Sequence, residues 1–173
     1  MSDPSTGDWG VMGEKSLPIT GGCLCGEVRY EASEEPYWTG YCHCDTCKRA
    51  FGGPFGVFVS FRKQAFHFTH GEPTLYQSSK FAKRGFCAQC GTPLLMLIIE
   101  GTPQGESESV LTKGLYPGMR RAEAISLSIG SLDHPANFQP VEHGCTDRQL
   151  PWLNIDDDLP RDDTDVAATE PEA

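Results

Sequence analysis

Residues 41–49 read Tyr41-Cys42-His43-Cys44-Asp45-Thr46-Cys47-Lys48-Arg49, with three cysteines in a C-x-C-x-x-C pattern. In an extended backbone residues i and i+2 point to the same side, so Cys42 and Cys44 can direct their sulfurs at one point. A tight turn then brings Cys47 to that point. Converging thiolates suit a soft tetrahedral ion such as zinc, with Zn–S bonds near ~2.3 Å. Three ligands leave a fourth position unassigned, as in catalytic sites, whereas structural zinc sites are usually closed by four.

Four other cysteines predict a second metal site. Cys23 and Cys25 form another C-x-C pair, and Cys87 and Cys90 form a C-x-x-C knuckle. The knuckle is followed by Gly91, which can adopt the positive φ that such turns often need. Together the two pairs give a closed four-thiolate site. Because they flank the central triplet in sequence, this metal would tie two ends of a sheet together, and the chain is predicted to hold two zinc ions.

Disulfides and a redox C-x-x-C are the alternatives to metal binding. The chain has 8 cysteines, an even number that a secreted disulfide framework would also show. However, it begins Met1-Ser2-Asp3-Pro4, without the basic start and apolar run of a secretory signal. Clustered cysteines at this low density favour metal ligation, and the βαβ context of a redox motif is absent from the pattern. A reducing, cytoplasmic location is therefore expected.

Composition limits the remaining classes. The 173 residues predict one domain, 38% hydrophobic and 22% charged. The longest apolar run, residues 93–99, is too short to span a bilayer, so no membrane partner is expected. The net charge is −10, of which residues 156–173 supply −7, from eight acids against Arg161. Without a basic stripe, nucleic-acid binding is not expected. Residues 1–15 and the acidic residues 162–173 are predicted to be disordered tails.

Short segments rich in Val, Phe, Ile and Leu, separated by Gly and Pro, predict a mainly β domain over residues 16–161. Alternation is clearest from Ile125 to Ile129, where apolar residues alternate with serines. A helical turn capped by Asp45 and running to about Arg49, and the stretch 101–121, a candidate insertion loop, are the two candidate helical regions. The other predicted strands span residues 17–20, 27–32, 55–61, 65–68, 74–78, 82–86, 92–99 and, more weakly, 137–144.

These motifs resemble those of the glutathione-dependent formaldehyde-activating enzyme family, whose superfamily includes centromere protein V. The resemblance rests on three cysteine segments and two downstream signatures, and extends over about residues 17–161. The segments and signatures are residues 22–30, 42–49, 86–94, Gly130-Ser131-Leu132-Asp133-His134-Pro135, and Pro151-Trp152 with Asp158-Leu159-Pro160-Arg161.

The resemblance implies a β-tent fold of layered antiparallel sheets held together by zinc. It implies a structural zinc on Cys23, Cys25, Cys87 and Cys90, and an active-site zinc, which could be labile, on Cys42, Cys44 and Cys47. The activity it implies is that of a carbon–sulfur lyase, which in reverse condenses formaldehyde with glutathione to S-(hydroxymethyl)glutathione. The implied partner is therefore a small thiol. The pattern assigns no oligomeric state.

Several residues near the triplet have candidate roles. Lys48 and Arg49 could bind the carboxylates of a thiol such as glutathione, or could form a solvated turn. Thr46 could hydrogen-bond a sulfur or the substrate. His43 alternates with two ligands, so it should face away and pack rather than ligate. Cys145 lies apart from both sets of cysteines, which predicts a free thiol rather than a fourth ligand. His67, His70, His134 and His143 show no ligand spacing and are expected at the surface or in turns.

Two classes of function remain open. If the triplet holds zinc with an open position, the protein is a zinc-dependent carbon–sulfur lyase-like enzyme acting on a thiol adduct. If a fourth residue or a water closes that position, the protein is a zinc-stabilised binding or scaffold domain without turnover. The open three-cysteine site favours the enzyme, because a scaffold needs only the closed site.

Overall fold

A computed structural model describes residues 16–108 and 116–163. In those ranges the chain forms eleven strands and two short α-helices, so the mainly β prediction is confirmed. The helices are α1 (Asp45–Phe51) and α2 (Pro103–Glu106), which lie in the two regions predicted to be helical. The strands are β1 (Ile19–Gly22), β2 (Arg29–Ala32), β3 (Trp38–Cys42), β4 (Gly56–Arg62), β5 (Phe66–His70), β6 (Thr74–Gln77), β7 (Ala82–Phe86), β8 (Pro93–Ile98), β9 (Ala124–Ser128), β10 (His143–Gly144) and β11 (Arg161–Asp162).

The strands form two sheets. The smaller has the order β1-β2-β5, and the larger has the order β11-β10-β3-β4-β9-β8-β7-β6. All pairings are antiparallel except those of β10, which runs parallel to β3 and to β11. The two sheets are therefore antiparallel except at one edge of the larger sheet. The strand predicted at residues 137–144 is also shorter than expected, because Pro135–Asn137 forms a 3₁₀ turn and only His143–Gly144 pairs.

The two faces of the large sheet have different partners. Side chains of a strand alternate between faces. On one face Val59, Phe61 and Leu127 are buried against the small sheet, which contributes Tyr30 and Ala32. Fully burying a large apolar side chain contributes roughly 1.5–3 kcal/mol, so this layer is the main core. The opposite face carries the alternate positions, Phe58, Ser60, Arg84, Met96 and Ser126, and the three-cysteine stretch packs there.

Three predicted segments fall wholly or partly outside the described residues. The two predicted tails are residues 1–15, which lie outside entirely, and residues 162–173, of which 164–173 lie outside. In the candidate insertion loop, residues 109–115 lie outside, and Thr102 begins α2 by accepting a hydrogen bond from the Gly105 N–H at 3.1 Å. At the other end of that loop, Glu108 forms a β-bridge with Arg120.

Candidate metal centres and active site

The first group of sulfurs, the four-cysteine cluster, contains Cys23, Cys25, Cys87 and Cys90, whose Sγ atoms all lie within 4.8 Å of one another. Cys23 directly follows β1 of the small sheet. Cys87 follows β7 and Cys90 precedes β8, both of the large sheet. Gly91 adopts φ 77°, and its N–H donates to the Cys87 carbonyl at 2.8 Å, which closes the knuckle as expected. The cluster therefore joins the two sheets.

Hydrogen bonds distribute negative charge unevenly within the four-cysteine cluster. Burial opposes ionisation of Cys90, but hydrogen bonds from Thr92 lower its pKa to about 6. Burial also opposes ionisation of Cys23, whose pKa is nevertheless lowered by the Val28 N–H, which donates to its Sγ at 3.2 Å. The Glu27 backbone favours the Cys25 thiolate, but burial and the neighbouring thiols raise the pKa of Cys25 to about 12. The loops around the cluster thus stabilise thiolates before any metal binds.

The second group, the three-cysteine cluster, contains Cys42, Cys44 and Cys47, whose Sγ atoms also lie within 4.8 Å of one another. Cys42 ends β3, and Cys44 and Cys47 are buried. The N-cap of α1 is Cys44 rather than the predicted Asp45, because the Cys44 Sγ accepts a hydrogen bond from the Cys47 N–H at 3.3 Å. The helix start therefore orients this sulfur.

Both clusters fit zinc in spacing and in donor chemistry. For bonds of about 2.3 Å to the corners of a tetrahedron, neighbouring sulfurs lie about 3.8 Å apart. The Sγ–Sγ distance is 3.5 Å for Cys42–Cys44, 3.5 Å for Cys23–Cys25 and 3.7 Å for Cys25–Cys87. Cysteine sulfurs are soft ligands, which suit zinc and not magnesium or calcium. The assignment of each cysteine as a zinc ligand stays a prediction.

Cys145 does not lie apart from the cysteine clusters, contrary to the expectation for it. It packs against Cys44, Cys47 and Phe58. Its thiol hydrogen-bonds with two of the three cluster sulfurs. The hydrogen bond with Cys145 is the largest influence on both: it raises the pKa of the Cys42 thiol and holds that of Cys44 well below its ordinary range. Within the group, Cys44 is therefore the sulfur that most favours the thiolate, and the sequence missed the contact because it spans about a hundred residues.

The three-cysteine cluster lines a cavity of about 130 Å³ on the outer face of the large sheet. Arg84 of β7 is only 7% exposed, and its Nη2 donates to the Cys47 Sγ at 3.3 Å. Its Nε is buried and has no hydrogen-bond partner. Arg121 lines the same cavity, and burial lowers its pKa. Two cationic side chains therefore adjoin the sulfurs, and an anion beside Arg84 would satisfy a buried donor.

The polar residues that follow the cysteines have different positions. Thr46 lines the cavity. Lys48 Nζ donates to the Arg148 carbonyl at 2.7 Å and lies 2.7 Å from the Asp45 carboxylate, while Arg49 is exposed. Neither of these two basic side chains lines the cavity. The sequence pointed to Lys48 and Arg49 because they directly follow Cys47. The basic residues that do line the cavity are Arg84 of β7 and Arg121.

A buried polar chain supports the backbone between Cys42 and Cys44. His43 is fully buried and faces away from the sulfurs, as expected, and its Nε2 lies 2.9 Å from His143 Nδ1. His143 Nε2 lies 3.0 Å from the Asp157 carboxylate. The expectation that His143 is a surface residue is therefore wrong, because β10 inserts it beside β3. Burial and then the neighbouring His143 lower the pKa of His43 to about 4.

The downstream signatures have structural roles. Asp133 accepts hydrogen bonds from Arg29 Nη1 at 2.9 Å and from the Thr20 hydroxyl at 2.6 Å, which attaches the 130–135 segment to β1 and β2. Arg161 donates to the Asp157 carboxylate at 3.2 Å and so holds the C-terminal segment beside the polar chain. Trp152 is 72% exposed. His67, His70 and His134 are exposed as expected.

A mainly β domain with two cysteine clusters, one beside a cationic cavity, defines a class of candidate zinc proteins. The model of the glutathione-dependent formaldehyde-activating enzyme family matches residues 18–148, and the chain belongs to this family. A protein of Schizosaccharomyces pombe named as an uncharacterized lyase is 33% identical over 95 residues, which are 55% of this chain and 69% of that protein.

Two further findings concern structure. A Rhodobacter sphaeroides protein of known crystal structure is 20% identical, with a TM-score of 0.45 over 83% of this chain and 99% of the other. At that TM-score the likeness bears on neither fold nor function. Among residues 16–108 and 116–163, none of the helices has the length and apolar character needed to cross a bilayer.

Proposed function

We propose that the three-cysteine cluster is a zinc site which binds a small thiol, and that the protein forms and cleaves the carbon–sulfur bond of a thiol–formaldehyde adduct. Glutathione is the proposed thiol and the cytoplasm the proposed location. One observation supports this most strongly: three converging sulfurs line a cavity that also contains two basic side chains. The family and the lyase name of the yeast relative agree with it.

The chemistry needs a thiolate and an aldehyde held together. A zinc ion bound by Cys42, Cys44 and Cys47 would keep a substrate thiol deprotonated at neutral pH. In the forward direction, the substrate sulfur attacks the formaldehyde carbon, a C–S bond forms, and the aldehyde oxygen takes up a proton. The proton that the thiol loses equals the one that the oxygen gains, so no net proton is released. The reverse reaction breaks the same bond.

Cavity size and charge suggest how the rest of the substrate is placed. The cavity volume of about 130 Å³ is below the roughly 300–1,000 Å³ of pockets that enclose a drug-sized ligand. It accommodates a thiol group and formaldehyde but not a tripeptide, so most of glutathione must extend out of the cavity. Arg84 and Arg121 are placed to stabilise the negative charge that develops on the aldehyde oxygen, or a nearby carboxylate. Thr46 can donate a hydrogen bond there, and Lys48 and Arg49 remain candidates for carboxylates outside it.

A second candidate function is a zinc-stabilised binding or scaffold domain without turnover. One observation favours it: Cys145 lies against the three-cysteine cluster, and a permanent fourth sulfur would close the site. The two candidates differ in whether a substrate thiol can reach the centre.

Calorimetric titration distinguishes these candidates. Zinc-loaded protein is titrated with glutathione and, as a control, with S-methylglutathione, which has the same carboxylates but no free thiol. The enzyme proposal predicts binding of glutathione that is at least tenfold tighter than binding of the methylated probe, and predicts that Cys44→Ser abolishes the difference. Equal binding of the two probes by the wild-type protein would overturn the proposal and favour the scaffold.

A further inference from the structure

Parallel strand pairing brings Cys145 to the three-cysteine cluster. In the register of β10 with β3, Gly144 lies opposite Cys42, and the His43 N–H donates to the Gly144 carbonyl at 3.0 Å. Cys145 is the next residue, so its thiol emerges beside the C-x-C segment. The position is fixed from the other side as well, since the Arg148 N–H donates to the Cys145 carbonyl at 3.1 Å and Lys48 donates to the Arg148 carbonyl.

The thiol of Cys145 is in contact with the cluster rather than near it. It hydrogen-bonds with the sulfurs of Cys42 and Cys44, packs against the apolar cluster to which Cys44 and Cys47 belong, and lines the same cavity as all three cysteines. Four sulfurs from two distant segments thus share one wall. A tetrahedral zinc site is completed by four such donors, and the triplet alone supplies three.

The charges around the cavity are suited to a centre with four thiolates. A divalent zinc with four thiolates carries a net charge of −2, and a buried anionic group needs nearby cations. Arg84 is buried, donates to Cys47, and has an unpartnered Nε at the same cavity. Arg121 also lines the cavity, and its guanidinium interacts electrostatically with Cys145. Arginine stays protonated in proteins, so these two side chains offset the charge.

We propose that Cys145 is the fourth sulfur ligand of the three-cysteine centre, and that a substrate thiol displaces it. The inference rests on the proposed function for the presence of zinc and of a thiol substrate. In the exchange, the substrate thiol gives its proton to the Cys145 thiolate as one sulfur replaces the other, so the number of sulfur ligands and the net charge do not change. Cys145 then keeps the site closed in the absence of substrate.

Cobalt substitution tests this ligand exchange without an activity assay. The full chain is loaded with two equivalents of Co²⁺, and the sulfur-to-cobalt charge-transfer absorption, which increases with each thiolate ligand, is recorded. Four sulfurs at each of two centres predict that Cys145→Ser loses about an eighth of the wild-type intensity. Cys145→Gly should lose the same fraction, and it should fold well because residue 145 has φ 59°, a conformation that glycine adopts freely. Ser78→Ala, in the same cavity but without a sulfur, should leave the intensity unchanged.

Adding glutathione completes the test. In the wild type the intensity should stay constant, because one sulfur replaces another, and in Cys145→Ser glutathione should restore the lost fraction. If both Cys145 variants match the wild type before glutathione is added, Cys145 is not a ligand and the inference fails. If the wild type gains intensity with glutathione, displacement is wrong. If Cys145→Ser starts low and never recovers, Cys145 is a permanent ligand: displacement is wrong, and thiol binding, the basis of the proposed function, fails separately.

Discussion

The four-cysteine cluster joins two β-sheets, whereas the three-cysteine cluster lies on the outer face of one of them. The first takes its sulfurs from the end of β1 and from the β7–β8 knuckle, so it links parts of the fold that are otherwise connected through the core. The second takes its sulfurs from one short segment that ends β3 and begins α1. Removing a sulfur of the four-cysteine cluster should unfold the domain. Removing a sulfur of the three-cysteine cluster should mainly impair the candidate active site.

The surroundings of the two clusters differ in the same sense. Cys87 is buried, the Val28 N–H donates to the Cys23 Sγ, and Thr92 hydrogen-bonds with Cys90. The three-cysteine cluster instead faces a cavity with Arg84 and Arg121. A structural site needs only a closed ligand set, while a reactive site needs space and charge for a second molecule. The contrast teaches that the position of a cluster in the fold, as well as its number of sulfurs, indicates its role.

The largest expected effect is on folding. Cys87→Ser should leave the domain unfolded or aggregated, since structural zinc contributes on the order of ~10 kcal/mol and whole domains are stable by only about 5–15 kcal/mol. Cys44→Ser removes a sulfur from the outer face and should retain a cooperative unfolding transition. Urea unfolding followed by circular dichroism compares the two variants. The contrast between the clusters breaks down if both variants lose the transition equally.

A smaller effect is expected at Arg84, beside the three-cysteine cluster. Arg84→Gln removes the guanidinium that donates to Cys47, and partners of this kind typically change metal affinity 10–100-fold. Competition with a metal indicator should show weaker zinc binding at one of the two sites. Lys83→Gln is the matched control, because it removes the same charge from the preceding residue of β7, whose side chain is exposed. Equal behaviour of the two variants would mean that Arg84 does not act on the centre.

The smallest effect is expected at Asp133, which belongs to the scaffold of the four-cysteine cluster. Asp133→Asn should lower the free energy of unfolding by about 1 kcal/mol, because the pairing with Arg29 is partly exposed. Thiol binding should not change. Glu72→Gln, an exposed carboxylate, serves as the control in denaturant unfolding. A loss of thiol binding in Asp133→Asn would contradict the separation of the two regions.

The pH dependence of this variant has a definite sign. Burial opposes ionisation of Asp133, but hydrogen bonds from Arg29 and Thr20 lower its pKa below the ordinary 3.8. A lowered carboxyl pKa stabilises the fold above the unfolded-state value, and that contribution is lost as the pH falls through the folded-state pKa. The stability difference between wild type and Asp133→Asn should therefore be full at neutral pH and shrink below about pH 4.

Local spacing made much of this structure predictable. The C-x-C and C-x-x-C patterns group seven sulfurs because each pair is set by a short extended segment or a tight turn, and the alternation from Ile125 to Ile129 predicts β9 and its two faces. The position of Cys145 beside the three-cysteine cluster and the His43–His143–Asp157 chain could not be predicted in this way. Both depend on the parallel pairing of a two-residue strand with β3 across about a hundred residues, and no local pattern records that pairing. Arg84 was missed because a cation inside a strand gives no signal of its burial.

The most direct test of the central claim is exchange spectroscopy of the chemistry itself. NMR magnetisation exchange between free glutathione and its formaldehyde adduct is measured at equilibrium with zinc-loaded wild type and with Cys44→Ser, which retains the four-cysteine cluster. The wild type should accelerate the exchange above the uncatalysed rate, and Cys44→Ser should not. Equal exchange rates for the two proteins, with two zinc ions bound to the wild type, would contradict the central claim.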